Sequence, residues 1–513
     1  MRLVQMTEYL DRTVAAHPDR PAVHDGDSCL TFSALYDRVL SLALQLSEAL
    51  EGRTGRIVAV FLPKSTDSII VDLAIAYSGN AYMNMDVKSP RQRIHNILSQ
   101  VQPDLMVTHK NTAHSLPPLS SLACPLFELD EYSAEPFDAV DRQKAKNLRG
   151  SCIDTDPFCV INTSGSTGTP KAVVLHHLSF IDFTEAVIGE GLVGEAEVVG
   201  SLSPLVFDIY SFELCMLMAK GSTIVILPES LAAFPVRLLE RMASCKVTFI
   251  FWVPTIMVNI ANLDLLQSVP LPDLKMIWFA GEVFPTAKCN YWRKHLPDAV
   301  FANFYGPIEI TLDCLFHVLS REFQDHEPIP IGKPFRNTAV LVLDADNLPV
   351  QEGEEGELCI RGSSLAMGYY NNEEKTAAAF VQNPLNRSYP EIIYRTGDIV
   401  AANEFGELVY KGRKDTLIKH GGYRIELGEI EHVAVNTLGL VPNCCAVYSP
   451  EARRITLFYE ADAPLPEKNL RERLGSVLPR YMVPAAYVHV PQMPRNTNGK
   501  IDRLFLRKSL EEV

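Results

Sequence analysis

Short apolar, β-branched runs punctuate the chain: Ile57–Leu62 (IVAVFL), Ser222–Leu227 (STIVIL) and Val247–Trp252 (VTFIFW). Each reads as a strand, while Thr31–Leu50 and Pro235–Ser244 carry apolar residues at helical spacing. Strands alternating with helices predict parallel sheets joined by crossover helices. Two segments break the pattern. Residues 127–150 are polar and charged and predict a surface connection. Residues 338–411 hold short alternating runs (AVLVLDADNLPV, GELCIRG, GELVYKG) and predict an antiparallel β-subdomain. After Gly412 the character changes again. Glu426–Leu438 predicts an amphipathic helix, Asn443–Tyr448 and Arg454–Tyr459 two strands, and Lys468–Leu478 a second helix before a proline-punctuated tail.

Composition narrows the picture. A chain of 513 residues exceeds the roughly 250–300 that one hydrophobic core supports, so at least two packed units are expected. With 47% hydrophobic and 21% charged residues it reads as an ordinary globular protein. A net charge of -15 argues against broad nucleic-acid binding, which needs a basic face, and suits a cytoplasmic enzyme. The N-terminus has scattered charges and no apolar run, so no signal peptide is expected. No apolar stretch reaches the roughly 18 residues of a spanning helix, so no membrane partner is expected. Eleven scattered cysteines without a CxxC pair fit buried free thiols better than a metal cluster or a disulfide framework.

Candidate chemistry begins at Thr163–Lys171, TSGSTGTPK, set between the apolar runs Phe158–Ile161 and Val173–Leu175. Hydroxyls and glycines at this density suit a loop that cradles phosphate, with Lys171 supplying charge; a flexible Ser/Gly turn is the plainer alternative. The spacing GxxxxGK[ST] is excluded, because Pro170 stands where that pattern needs glycine.

The same segment resembles the phosphate loop of the adenylate-forming superfamily, which comprises acyl-CoA synthetases, luciferases and the adenylation domains of nonribosomal peptide synthetases. Further motifs of that family recur in order: LTFSAL at Leu30–Leu35, GNAYMNMDVKSP at Gly79–Pro90, NFYGPIE at Asn303–Glu309 and GELCIRGSSLAMGYY at Gly356–Tyr370. YRTGD at Tyr394–Asp398, GRKDTLIKHGGYRIELGEIE at Gly412–Glu431, LPRYMVP at Leu478–Pro484 and NGKIDR at Asn498–Arg503 follow. The resemblance covers nearly the whole chain. It implies an α/β fold, with a large N-terminal domain over 1–412 of two parallel α/β sheets plus a β-subdomain. A small mobile α+β lid over 413–513 would turn on a hinge near Asp415.

The implied reaction is attack of a carboxylate on the α-phosphorus of ATP, expelling pyrophosphate. Two anions must meet, so catalysis rests on positioning and charge neutralisation. By resemblance Lys500 is the catalytic lysine that bridges carboxylate and phosphate oxygens. Thr163, Ser164, Gly165, Ser166, Thr167, Gly168 and Lys171 hold the phosphates. Asp398, with Arg413, accepts the ribose hydroxyls. Tyr305 stacks on adenine, Gly306 is a further nucleotide-binding residue, Asn303 faces the exocyclic amine of adenine, and Glu309 holds Mg²⁺. Two residues depart from the family pattern. Ala172 replaces a glycine, and Ile308 replaces a threonine whose hydroxyl bonds a charged group, a loss of roughly 1.5–3 kcal/mol. A neighbouring donor such as Thr311 could compensate.

Phe207-Asp208 resembles the segment in amino-acid-activating members whose aspartate pairs with the substrate's α-ammonium; the plainer role for Asp208 is a helix N-cap. The family's pocket positions map to Asp208, Ile209, Phe212, Phe251, Trp278, Ala280, Phe304, Leu312, Asp313 and Lys500. Large aromatics there imply a compact amino acid such as alanine or proline, whereas Asp313 would suit a side-chain amine, as in lysine or ornithine. Gly421-Gly422 fits the surface that admits a pantetheine arm. The chain ends ten residues after NGKIDR, so the expected acceptor is a phosphopantetheine thiol on a separate peptidyl or acyl carrier protein. An acyl- or aryl-CoA ligase and a non-catalytic adenylation-fold module are the alternatives.

Overall fold

The computed structural model describes residues 3–117, 124–129, 139–148, 150, 152–163, 170–414, 417–495 and 501–511. Among these, the strands form five sheets. In the largest, Val300–Tyr305, Met276–Phe279, Phe249–Trp252, Val198–Ser201, Thr223–Ile226 and Pro21–Asp25 run parallel in that spatial order. Antiparallel strands complete both edges: Leu315–Val318 with Lys333–Pro334, and Ser28–Thr31. The second sheet is parallel across Pro157–Thr163, Ala81–Asn84, Ile57–Phe61, Leu105–Thr108 and Leu126–Glu128. Its other edge is antiparallel, through Lys171–His176 and Gly368–Tyr369.

Strand alternation explains how the layers pack. Val58 and Val60 face one apolar cluster while Ile57, Ala59 and Phe61 face another. Phe249 and Phe251 enter the first cluster, Ile250 and Trp252 a third. That first cluster joins the inner faces of both sheets, and two helices fill it. Ser68–Tyr77 and Ile209–Met218 are buried on every side, as befits helices that are apolar all round. Their charged exceptions are compensated. Asp72 accepts from Asn84 and Tyr210, each at 2.9 Å, although burial still pushes its carboxyl up to about 7. Glu213 lies 3.6 Å from the ammonium of Lys64.

Thr338–Leu343, Gly356–Gly362, Phe380–Gln382, Ile392–Ala402 and Leu408–Arg413 form an antiparallel sheet. Beyond it, hairpin Leu417–His420/Tyr423–Glu426 leads to helix Leu427–His432. Strands Asn443–Ser449, Arg454–Glu460 and Ala486–Val490 follow, with their own apolar core. Residues 127–150 differ from expectation. A strand, Leu126–Glu128, and a helix, Ala139–Asn147, occupy part of this stretch; the helix packs on Phe32–Ala49, with Ala145 fully buried and Arg142 paired to Asp37. The expected Glu426–Leu438 helix is α-helical over Leu427–His432 and then widens into a π-turn, Val433–Thr437. All eleven cysteines are free thiols. Among the described residues no helix is long and apolar enough to cross a membrane.

His177 tests the inter-sheet packing. It is buried, its Nδ1 accepts from the Met6 amide at 3.2 Å, and burial, aided by repulsion from His176, lowers its pKa from 6.5 to about 3. The unfolded chain therefore binds a proton that the folded one refuses, and stability falls as pH drops below 6.5. His177→Gln should remove about 1.5 kcal/mol of the stability lost between pH 6.5 and about 5. Parallel pH profiles of thermal unfolding for the two proteins would contradict this account.

Candidate functional site

The site lies where the ends of the largest sheet, the β-subdomain and the C-terminal hairpin meet. Val300–Tyr305 delivers Asn303, Phe304 and Tyr305, and the chain then folds tightly back. Gly306 permits this, because a Cβ there would stand 2.2 Å from the Leu312 carbonyl oxygen and 2.5 Å from Asp313 Cα. The return passes through Thr311 and Leu312, both at positive φ (54° and 64°), a costly conformation for a β-branched residue.

Tyr305, Asp398 and Arg413 come together. The Tyr305 hydroxyl donates to Asp398, and Arg413, the register partner of Asp398 across two strands, donates to the same carboxylate at 2.5 Å. Asn303 is buried and its amide nitrogen donates to the Pro330 carbonyl at 2.8 Å, which leaves its oxygen available as an acceptor. Glu309 is fully buried. Tyr369 donates to it at 2.7 Å and Arg424 at 2.5 Å. Burial would raise the carboxyl, but the Arg424 guanidinium outweighs it and holds Glu309 at about 2.

Lys171 begins the strand after the serine–glycine loop, and its backbone pairs with Thr163, so the two residues form the neck of that loop. The loop residues Ser164, Gly165, Ser166, Thr167 and Gly168 lie outside the described residues. Lys171 Nζ stands 3.5 Å from Glu426 and over the Tyr369 ring. Ala172 packs into the core, its carbonyl accepting from the Tyr370 amide. Ile308 packs against the apolar cluster between the sheets, whereas the Thr311 hydroxyl is buried with no hydrogen-bond partner among the described residues.

Strand register brings the expected substrate-pocket residues together. Phe251 lies beside Trp278, and Trp278 beside Ala302, two residues before Phe304 on the same face. Trp278 stacks on Phe304 (centroids 4.2 Å apart) and on Phe212 from the buried helix (5.3 Å); Phe251 meets it edge-on at 5.6 Å. The Trp278 indole N–H finds no acceptor among the described residues. Ile209, Ala280 and Leu312 are buried in the same cluster. Asp208 is the first residue of its helix rather than the cap, which is Phe207. Burial pushes its carboxyl up to about 6, with Glu309 raising and Lys419 lowering it. Asp313 is buried, and burial together with repulsion from Asp208 raises its carboxyl well above the usual range.

Arg424, Lys419, Glu426, Tyr369 and Glu282 escaped the sequence reading. The first three lie inside the quoted stretch Gly412–Glu431, so their charges were visible but not their destination. The hairpin turns at Gly421 and Gly422, whose positive φ values (60° and 83°) a two-residue turn requires. The Gly422 amide donates to Glu282 at 2.9 Å, and a Cβ there would crowd Val253 at 3.0 Å. Lys419 lies over the Tyr305 ring; burial lowers its pKa while Asp398 and Asp313 raise it. Arg93 seals the contact with a 2.7 Å bond to Glu429. Asp415 and Lys500 lie outside the described residues, and Ile501 packs into a C-terminal cluster with Cys445, Val447 and Phe458. Among the described residues, no group of three or more metal-ligating side chains is present.

This architecture is that of an adenylation domain. A solved structure of an NRPS protein containing adenylation and PCP domains superposes with a TM-score of 0.83 at 25% identity, over 98% of this chain and 84% of that one. The L-proline--[L-prolyl-carrier protein] ligase of Streptomyces coelicolor is 30% identical over 96% of this chain and 94% of its own length. Delta-poly-L-ornithine synthetase of Acinetobacter baumannii is 31% identical over 98% of this chain, which spans 36% of that longer protein. Residues 10–370 match the model for AMP-binding enzyme, and the chain belongs to that family.

Removing Arg424 would leave Glu309 buried and unpaired, at a cost of about 3–5 kcal/mol. Arg424→Ala should therefore loosen the hairpin, read as faster amide hydrogen exchange over Leu417–Glu426, and Glu309→Gln should do the same. Unchanged exchange in both variants would show that the ion pair does not hold the hairpin.

Proposed function

We propose that the chain activates an amino acid with ATP, forming aminoacyl-AMP and pyrophosphate, and passes the acyl group to the phosphopantetheine thiol of a separate carrier protein. The carrying observation is the convergence of Tyr305, Asp398, Arg413, Glu309 and Lys171 around one site, with the buried Asp208 near Glu309. A substrate carboxylate oxygen bonds the α-phosphorus while the bridging oxygen departs with its electron pair on pyrophosphate. Asp398 takes the ribose hydroxyls, Tyr305 the face of adenine, and the Asn303 oxygen its amine. Lys171 and the serine–glycine loop take the phosphates. Mg²⁺, when bound, neutralises phosphate charge; the buried Glu309, whose charge here is balanced by Arg424, suits it as a ligand. Thr311, a buried hydroxyl with no partner among the described residues, supplies the donor that Ile308 lacks. Lys500 closes on the site by rotation of residues 413–513 about Asp415, and withdraws for attack by the thiol.

The mutually packed aromatics favour a compact side chain, and a carrier-protein ligase among the relatives is named for proline. A second reading has its own observation: Asp313 is buried beside Asp208 without a hydrogen bond to it, which suits a substrate amine, and another relative is named for ornithine.

Amino-acid-dependent ATP–pyrophosphate exchange over a panel of L-, D- and nonstandard amino acids tests the reading. Exchange should appear with compact amino acids and vanish in Asp208→Ala. If ornithine or lysine is the substrate, Asp313→Ala should abolish exchange; if proline or alanine is, it should not. Silence with every amino acid and simple acid would overturn the proposal. Lys500→Ala should slow adenylation roughly 10²–10³-fold, the scale of losing one preorganised charge donor, and spare transfer from supplied aminoacyl-AMP. Equal loss in both half-reactions would remove Lys500 from its assigned role.

A further inference from the structure

Lys64 follows strand Ile57–Phe61 of the second sheet, yet its side chain reaches the chain that leaves the largest one. The side chain is only 5% exposed, and its ammonium donates to the Ser203 carbonyl at 2.6 Å. The same ammonium stands 3.6 Å from Glu213 and over the Tyr210 ring. Its own backbone is held in place. The next residue, Ser65, caps helix Thr66–Tyr77 through a capping box with Ser68, and the Thr66 amide donates to Asp25 at 3.0 Å.

Ser203 and Glu213 lie five residues before Asp208 and five after it. One ammonium therefore clamps both ends of the stretch that carries Asp208. Inside the stretch, the Phe207 amide donates to the Pro204 carbonyl at 3.1 Å and the Tyr210 amide to the Phe207 carbonyl at 3.2 Å. Glu213 also accepts from the hydroxyl of Ser201, the last residue of strand Val198–Ser201, which ties the clamp back to the sheet. Burial opposes the arrangement. It lowers the Lys64 pKa and raises that of Glu213, each against the pull of the other. Apolar residues of similar volume would serve packing as well or better. What the ammonium adds is a directed hold on the Ser203 carbonyl.

We propose that Lys64 is a positioning residue for amino-acid recognition. By clamping Ser203 and Glu213 it holds Asp208 where the substrate's α-ammonium meets it, without touching the substrate. The inference rests on the proposed role of Asp208 and deepens it, by naming what keeps that carboxylate in place.

ATP–pyrophosphate exchange by the full chain tests it, with the panel of amino acids above, L-proline and L-ornithine among them, and with amino acid and ATP varied in turn. Lys64→Met alone would leave Glu213 buried and unpaired, so it is combined with Glu213→Gln. The double variant should melt close to the parent yet raise the amino-acid KM about tenfold, the scale of one charge-assisted hydrogen bond, while the ATP KM holds. Lys64→Arg, which keeps both the charge and a donor for Ser203, should recover most of the amino-acid affinity. An amino-acid KM equal to the parent's in the double variant would overturn the assignment. Equal rises in both KM values would overturn it too, by reducing Lys64 to a structural role. Absence of exchange in the parent across the whole panel would instead overturn the adenylation reading, and this inference with it.

Discussion

A carboxylate with no exposure to water either holds its proton more tightly, as Asp72 does, or has a cation, and Glu309 is a carboxylate of the second kind. The cation here comes from Arg424, more than a hundred residues away in sequence, so the demand of one buried charge draws the C-terminal hairpin onto the rim of the largest sheet. The hairpin's own geometry follows from that demand. In a strand, residues two apart share a face, so Arg424 and Glu426 point the same way, toward Glu309 and Lys171, while Ile425 enters the C-terminal core. Lys419 is the register partner of Arg424. Two cations placed directly opposite on a hairpin repel, and the pairing holds because Glu309, Asp398 and Asp313 face them. The hairpin and the site are complementary in charge, and neither is reasonable without the other.

The fold was largely legible because layer packing follows from local pattern. Apolar runs such as Ile57–Leu62 and Val247–Trp252 give the strands of two sheets, and the alternating runs of 338–411 give an antiparallel one. What the pattern hid were elements whose cue is weak. Helix Ala139–Asn147 is mostly polar and exists because one face rests on Phe32–Ala49; the π-turn Val433–Thr437 interrupts a helix whose sequence carries no break. The site divides in the same way. Residues carried by short motifs, among them Tyr305, Asp398, Arg413 and Lys171, meet in space. The partners Arg424 and Glu426 were printed in the sequence, but a charge pattern does not say which distant carboxylate it will reach.

Around Ile308 the chain carries strain. Thr311 and Leu312 both occupy the left-handed region, at roughly 1–3 kcal/mol each, and Gly306 is indispensable to their return. In exchange the turn packs the partly buried Ile308 against the core and holds a hydroxyl, Thr311, without a partner among the described residues. Strain together with an unsatisfied buried hydroxyl would be a poor bargain for stability alone, but it makes sense where a ligand completes the bonding. The pocket shows a similar tension. Aromatics that could close around a compact group lie beside two carboxylates whose pKa burial raises, Asp208 and Asp313.

These tensions have one resolution. A group that displaces the hairpin must replace its charges with their like: a cation for Glu309 where Arg424 stood, an anion for Lys171 where Glu426 stood. On the proposed function, bound metal and phosphates satisfy both conditions together, whereas either charge alone would leave one buried partner uncompensated. On that proposal ligand and hairpin compete as whole sets of charges, and the free energy that docks the hairpin is subtracted from the binding of whatever replaces it. Tight docking would make nucleotide binding weak; loose docking would leave Glu309 exposed to uncompensated burial. On the same proposal each ion pair of the strand Tyr423–Glu426, Arg424 with Glu309 and Glu426 with Lys171, is matched by one charge on the ligand.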